Sequence, residues 1–169
     1  MRFLIIFIFL IISTLVKADP NIKNLVIYKE SKKIGDLTFL NAKNDKIDLD
    51  NYRGNLILIN FWATWCLPCK EEMPSLDSLQ VNNRLPNLKI LPINVGQDKI
   101  DKAEKFFKDL EIENLETYFG NSIILAKKFS LRGIPTSIII NKKGEEFARV
   151  VGSINFNSDN FVNWLSSYN

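Results

Sequence analysis

The chain has 169 residues, of which 46% are apolar, with 22 basic and 19 acidic residues, no histidine and two cysteines. That length suits one domain plus a targeting segment, and the apolar share is enough for an ordinary core. The lysines pair up at Lys32–Lys33, Lys127–Lys128 and Lys142–Lys143 without forming a dense basic stripe, a pattern that argues against nucleic-acid binding.

The first segment, "MRFLIIFIFLIISTLVKADP", has a charged start at Arg2 and an unbroken apolar run from Phe3 to Ile12, extended by Leu15 and Val16. The run is short for a bilayer span, which takes about 20 residues. Val16-Lys17-Ala18 resembles a signal-peptidase site, so residues 1–18 are read as a signal peptide cut after Ala18; the alternative is an uncleaved membrane tether at residues 3–16. Either way the remainder is expected in a periplasmic or other extracytoplasmic, oxidising compartment. Cleavage removes Arg2 and Lys17 and no acid, which leaves the mature chain close to neutral.

Residues 19–34 read as a polar leader with a short apolar element at Leu25–Tyr28. Leu37–Leu40 and Lys46–Leu49 flank the turn-rich "NAKND" and predict a hairpin. "LILINFW" (Leu56–Trp62) is a continuous apolar run of strand length, as expected for a strand buried on both faces. A helix is predicted over 67–81. "LKILPINV" (Leu88–Val95) predicts a second strand, and Pro92, lacking an N–H, places it on an edge or at a bulge. Asp98–Leu110 is helical in pattern, with Ala103, Phe106, Phe107 and Leu110 on one face. Ser122–Phe129 predicts a further helix. Pro135–Asn141 and Glu145–Val151, joined by "KKG", predict a hairpin, and Ser158–Tyr168 a closing helix. The order β-α-β-α-α-β-β-α after residue 55 defines an α/β domain over 35–169 with a central mixed sheet flanked by helices.

Both cysteines stand in "NFWATWCLPCKEEMP", where the first long strand hands over to its helix. A structural bridge from Cys66 to Cys69 would restrain almost no chain, because disulfide stabilisation grows with loop length. A structural zinc needs about four N or S ligands, which this chain cannot supply. A bridge that staples so little is suited to being made and broken. Cys66 sits at a helix N-terminus, where free N–H groups and the helix dipole favour a thiolate. Pro68 suits the first turn, and Cys69, three residues on, is within bridging reach. Cys66 is therefore assigned as the attacking thiol and Cys69 as the resolving one. Glu72 lies three residues further along the face of Cys69 and Leu76. Its spacing alone leaves open whether it is a buried proton acceptor or a solvated helix residue. Trp62 is expected in the core; Trp65, with Pro68, is assigned to the surface that meets a partner. The proline in the helix, Pro74, removes the bond back to Lys70 and is expected to kink it.

"INFWATWCLPCKEEMPSL", followed by "INVGQDK" and "LRGIPTSIIINKKGE", resembles the TlpA/ResA-type thiol-disulfide oxidoreductases from about Gly35 to the C-terminus. The resemblance implies a thioredoxin-like fold with an N-terminal β-hairpin extension. It implies a cis Ile134–Pro135 peptide facing the cysteines, where the backbone of Ile134 pairs with substrate. It also implies a functional role for Glu72. It further implies a reducing activity, commonly in cytochrome c maturation, on disulfides of exported proteins such as apocytochrome c, with a membrane thiol reductase as electron donor. Cytosolic thioredoxins carry a buried aspartate where this chain has Asn60, so a proton-relay role there falls to Glu72. Leu67-Pro68 replaces their Gly-Pro.

Two other readings stay open. An oxidase or isomerase would use the same cysteines, but no histidine lies between them to stabilise the reduced thiolate. A dithiol copper-binding protein would use them as soft ligands, but Met1 and Met73 are the only methionines. A peroxidatic site would need a threonine and proline set around the cysteine that is not found. No cofactor is required, since a dithiol itself carries two electrons.

Overall fold

The structure, a computed structural model, describes residues 21–169. The expected signal peptide and the tether at 3–16 lie outside the described residues. The elements run β1 (Leu25–Lys33), β2 (Thr38–Asn41), β3 (Lys46–Asp48), a 3-10 turn (Leu49–Tyr52), β4 (Leu56–Trp62), α1 (Leu67–Gln80), β5 (Leu88–Asn94), α2 (Ile100–Asp109), β6 (Tyr118–Phe119), α3 (Ser122–Phe129), β7 (Thr136–Ile140), β8 (Glu145–Val151) and α4 (Asp159–Ser166). The strands form one mixed sheet in the order β1-β8-β7-β4-β5-β6-β2-β3.

Every residue of β4 is buried, and its side chains alternate between two cores. Leu56, Leu58 and Trp62 pack with α1, α2 and α4. Ile57, Ile59 and Phe61 pack with α3 and with residues of the β2–β3 hairpin region. Each such side chain contributes about 1.5–3 kcal/mol through burial. Trp62 stacks on Phe106 and Phe107 of α2, with ring centroids 4.8 and 5.2 Å away. Strands β4, β5 and β6 are mutually parallel. Their carboxyl ends therefore share one rim of the sheet, where connecting loops collect functional residues.

Pro92 fits the strand because β6 pairs with β5 only at Ile93 and Asn94. Two residues earlier, the Ile90 N–H turns away from β4 to the Gln80 side chain, which also bonds the Leu88 carbonyl. The missing donor of Pro92 thus faces an open stretch of edge.

Two strands were not expected. β6 is two residues long, too short for any periodic signal. Residues 25–33, read as part of a polar leader in which only Leu25–Tyr28 stood out as a short apolar element, form the outermost strand β1, antiparallel to β8. Seven of its nine residues are exposed, so it carries no alternating apolar pattern. Backbone pairing and side-chain bonds to β8 hold it instead. Tyr28 Oη donates to Glu146 Oε1 at 3.1 Å and Ser31 Oγ to Glu145 Oε2 at 2.6 Å.

Glu146 is buried, and Arg149 binds its Oε1 through Nε at 2.9 Å while donating to the Phe129 carbonyl at 2.8 Å. Removing one partner of a buried pair strands the other charge. Arg149→Met is expected to cost about 3 kcal/mol of stability by urea unfolding. A loss indistinguishable from zero would show that the pair does not secure this side of the sheet.

Candidate active site

The chain leaves β4 at Trp62 and turns within four residues into α1. Cys66 is the N-cap residue of α1. Its backbone N–H bonds the Ala63 carbonyl, its carbonyl accepts from Lys70, and its Sγ accepts from the Cys69 N–H at 3.3 Å. A side-chain acceptor for a first-turn N–H is what a helix N-terminus needs. It places Cys66 sulfur in the positive field of the helix end. Cys66 and Cys69 are joined in a disulfide with Cα atoms 5.3 Å apart. Cys69 is fully buried, whereas Cys66 keeps 5% of its surface exposed. An incoming sulfur therefore has access to Cys66 first.

Glu72 is not a solvated helix residue. It is 2% exposed, on the buried face of α1 with Cys69, Met73 and Leu76, while Lys70 and Glu71 point to solvent. Asn60, the one polar residue of β4, donates through Nδ2 to Glu72 Oε1 at 2.8 Å and to Ser137 Oγ of β7 at 2.9 Å. Burial is the dominant influence on the carboxyl and pushes its pKa up from 4.5 to about 8. The Asn60 amide, the Ile154 backbone and Ser153 oppose the rise. Oε2 is buried without a hydrogen-bond partner in bonding geometry among the described residues.

Sequence reasoning missed a second set of residues at this rim. Asp98, just before α2, accepts from the Thr64 N–H at 2.9 Å, the Thr64 hydroxyl at 2.6 Å, Asn94 Nδ2 at 3.0 Å and Lys102 Nζ at 2.7 Å. Burial alone would raise the Asp98 pKa; Lys102, both Thr64 donors and Asn94 outweigh it and hold the carboxyl far below the usual carboxylate range. Asp98 thus clasps the turn that delivers Cys66. Gly96 serves the same closeness: a Cβ there would collide with the Ala63 side chain and come within 3.0 Å of the Trp65 indole nitrogen. The only local signal was an Asn-x-Gly-x-Asp spacing. Its partner, Thr64, lies 34 residues away in the chain.

Trp62 is in the core, and Trp65 and Leu67 are each 66% exposed beside Cys66. Pro68 is exposed in the first turn of α1, and Pro74 lies inside the helix on its exposed side. The Ile134–Pro135 peptide is cis. Thr136 pairs with Phe61, so Pro135 falls level with Trp62 at the rim from which the chain passes to Cys66. Pro135 is buried and Ile134 half-buried. No group of three or more potential metal ligands occurs among the described residues; two thiols are what the site offers a soft metal.

A mixed sheet flanked by helices, with a Cys-x-x-Cys disulfide at the strand-to-helix rim and a cis-proline opening the facing strand, defines a thioredoxin-fold dithiol protein. The thioredoxin-like family model matches residues 54–146. The thiol-disulfide oxidoreductase ResA of Geobacillus kaustophilus is 29% identical over 119 residues, covering 70% of this chain and 67% of the relative. The thioredoxin-like protein YneN of Bacillus subtilis is 30% identical over 129 residues, covering 72% and 71%. Among solved structures, a DsbF homologue from Corynebacterium diphtheriae superposes with a TM-score of 0.70 at 20% identity, over 89% of this chain and 97% of that one; this likeness concerns the fold. The chain belongs to the thioredoxin-like family and, within it, to the ResA-type thiol-disulfide oxidoreductases.

The Glu72 pKa has a consequence for stability. Because the folded-state value lies above the ordinary 4.5, the folded protein holds this proton more tightly than the unfolded chain between pH 4.5 and about 8. Its contribution is fully present below pH 4.5 and is lost as pH rises through 8. Wild-type denaturation midpoints are therefore expected to fall from pH 5 to pH 9, and Glu72→Gln to flatten that slope. Parallel slopes for the two proteins would show that Glu72 ionises freely.

Proposed function

We propose that this oxidoreductase acts outside the cytoplasm as a reductant of disulfides in exported proteins, with the paired cysteines of an apocytochrome c as its substrate class and a membrane thiol reductase as its electron source. The observation that carries the reading is the buried Glu72 carboxyl on the face of the fully buried Cys69. A resolving thiol shut away from water needs a nearby group to take its proton. A carboxyl with a pKa of about 8 exchanges protons near neutrality. The resemblance to ResA supports the reducing direction and the class of partner.

In the reduced protein the Cys66 thiolate attacks one sulfur of the partner's disulfide, and the other partner sulfur leaves as a thiolate that takes up a proton. Glu72 then accepts the Cys69 proton, and the Cys69 thiolate attacks Cys66 Sγ. The second partner thiol is released, and the Cys66–Cys69 disulfide forms. Two electrons pass to the partner, and its two leaving sulfurs take up two protons, one from solvent and one balanced by the Cys69 proton that Glu72 gives up again. Trp65 and Pro68 offer an exposed surface around the attacking sulfur, and the backbone of Ile134, ahead of Pro135, pairs with the partner's extended chain.

Two experiments test this. Cys66→Ser is expected to abolish turnover, and Cys69→Ser to accumulate mixed disulfides through Cys66, seen as dithiothreitol-sensitive adducts on non-reducing gels. Normal turnover by both variants would overturn the mechanism. The reduction potential of the pair in residues 19–169, equilibrated against glutathione, is expected near that of thioredoxin, about −270 mV. A value of about −120 to −180 mV would make the protein an oxidase or isomerase instead.

A further inference from the structure

We propose that Asn60 is a positioning residue that decides which oxygen of Glu72 carries the proton: its amide, braced by Ser137, occupies Oε1 and leaves Oε2 as the atom that receives the proton of Cys69. The inference rests on the reading of Glu72 as proton acceptor and goes one step past it.

The geometry carries the argument. An asparagine amide nitrogen has two hydrogens. Both are committed here, one to Glu72 Oε1 at 2.8 Å and one to Ser137 Oγ at 2.9 Å. Asn60 Oδ1 meanwhile has no partner among the described residues. An ionised Glu72 can only accept, so the amide turns its nitrogen, not Oδ1, toward it. Asn60 and Ser137 are cross-strand neighbours in β4 and β7, so two packed strands brace the donor. A proton on Oε1 would meet an N–H aimed at the same atom, whereas Oε2 is buried and receives no hydrogen bond in bonding geometry among the described residues, the Ile154 backbone and Ser153 acting on the carboxyl only as weaker influences.

The groups that face the Glu72 carboxyl are few. They are Asn60 from β4, Ser137 behind it from β7, and Ser153 and the Ile154 backbone from the segment after β8; Cys69 lies one turn back on the same buried helix face. None carries a fixed charge, so hydrogen bonding and burial set the proton affinity. Burial raises it, and the Asn60 donation is the largest of the bonds that lower it. Without that donation the carboxylate is less stable and its titration moves upward.

The test follows a single resolving step. The reduced protein is loaded at Cys66 with 5-thio-2-nitrobenzoate, and attack by Cys69 releases the coloured thiolate, timed by stopped flow from pH 5 to pH 10. In the wild type the rate is expected to rise as Glu72 ionises. Asn60→Leu, close in size but without a donor, is expected to move the midpoint up by about one pH unit, which is about tenfold slower release on the acidic limb. Ser137→Ala, which leaves Asn60 in place but unbraced, is expected to move it in the same direction and carries the test if Asn60→Leu does not fold. Glu72→Gln is expected to remove the limb. If Glu72→Gln removes the limb and the folded Asn60 or Ser137 variant keeps the wild-type midpoint, Asn60 does not position the proton and only the Glu72 reading survives. If Glu72→Gln leaves the profile unchanged, the Glu72 reading falls, and the role of Asn60 falls with it.

Discussion

The complete burial of β4 is the constraint on which the rest of this molecule depends. A strand with apolar side chains on both faces must be covered on both, and helices packed over a mixed sheet do that. One covering helix, α1, begins directly beyond the carboxyl end of β4 and runs back across one face. Cys66 is held at that reversal, between a strand that cannot shift without exposing Trp62 and a helix whose first turn it caps. The position of the reactive sulfur is a by-product of core packing.

The same burial creates the chemistry at Glu72. An unpaired buried amide costs about 1–3 kcal/mol, so Asn60 in an otherwise apolar strand requires partners. It finds them in Glu72 and Ser137. The carboxyl in turn is kept from water, which makes its neutral form the favoured one up to mildly alkaline pH. In cytosolic thioredoxins the buried acid sits on the strand. Here the acid is on the helix and a neutral amide on the strand faces it, so the strand contributes a hydrogen-bond donor and the helix a buried carboxyl.

Much of this was legible in the amino-acid order, and the pattern of what was not is physical. Leu56–Trp62 was readable because a strand buried on both faces is uniformly apolar. α1 was readable because Cys66, Pro68 and Cys69 mark its start. The i, i+3 spacing of Cys69 and Glu72 placed them on one face, but only the packed structure shows that this face is dry. Strand β1 was hidden because an edge strand with most side chains in solvent has no periodic signal. Strand β6 was hidden by its length. The Thr64–Asp98 clasp could not be read because each partner is an ordinary polar loop residue until the parallel strands β4 and β5 bring their carboxyl ends side by side.

The outermost strand that composition concealed also determines how the sheet ends. Unpaired strand edges invite other chains to add on, and proteins blunt them with charge or by keeping them short. Here β1 carries Lys29, Glu30, Lys32 and Lys33 along one border, and the other border is the three-residue β3. The exposed apolar pair Val26 and Ile27 is short and runs into that charged stretch, so neither border offers a long apolar template. Strand-to-strand adhesion along either flank, which leads toward aggregates, is thereby disfavoured.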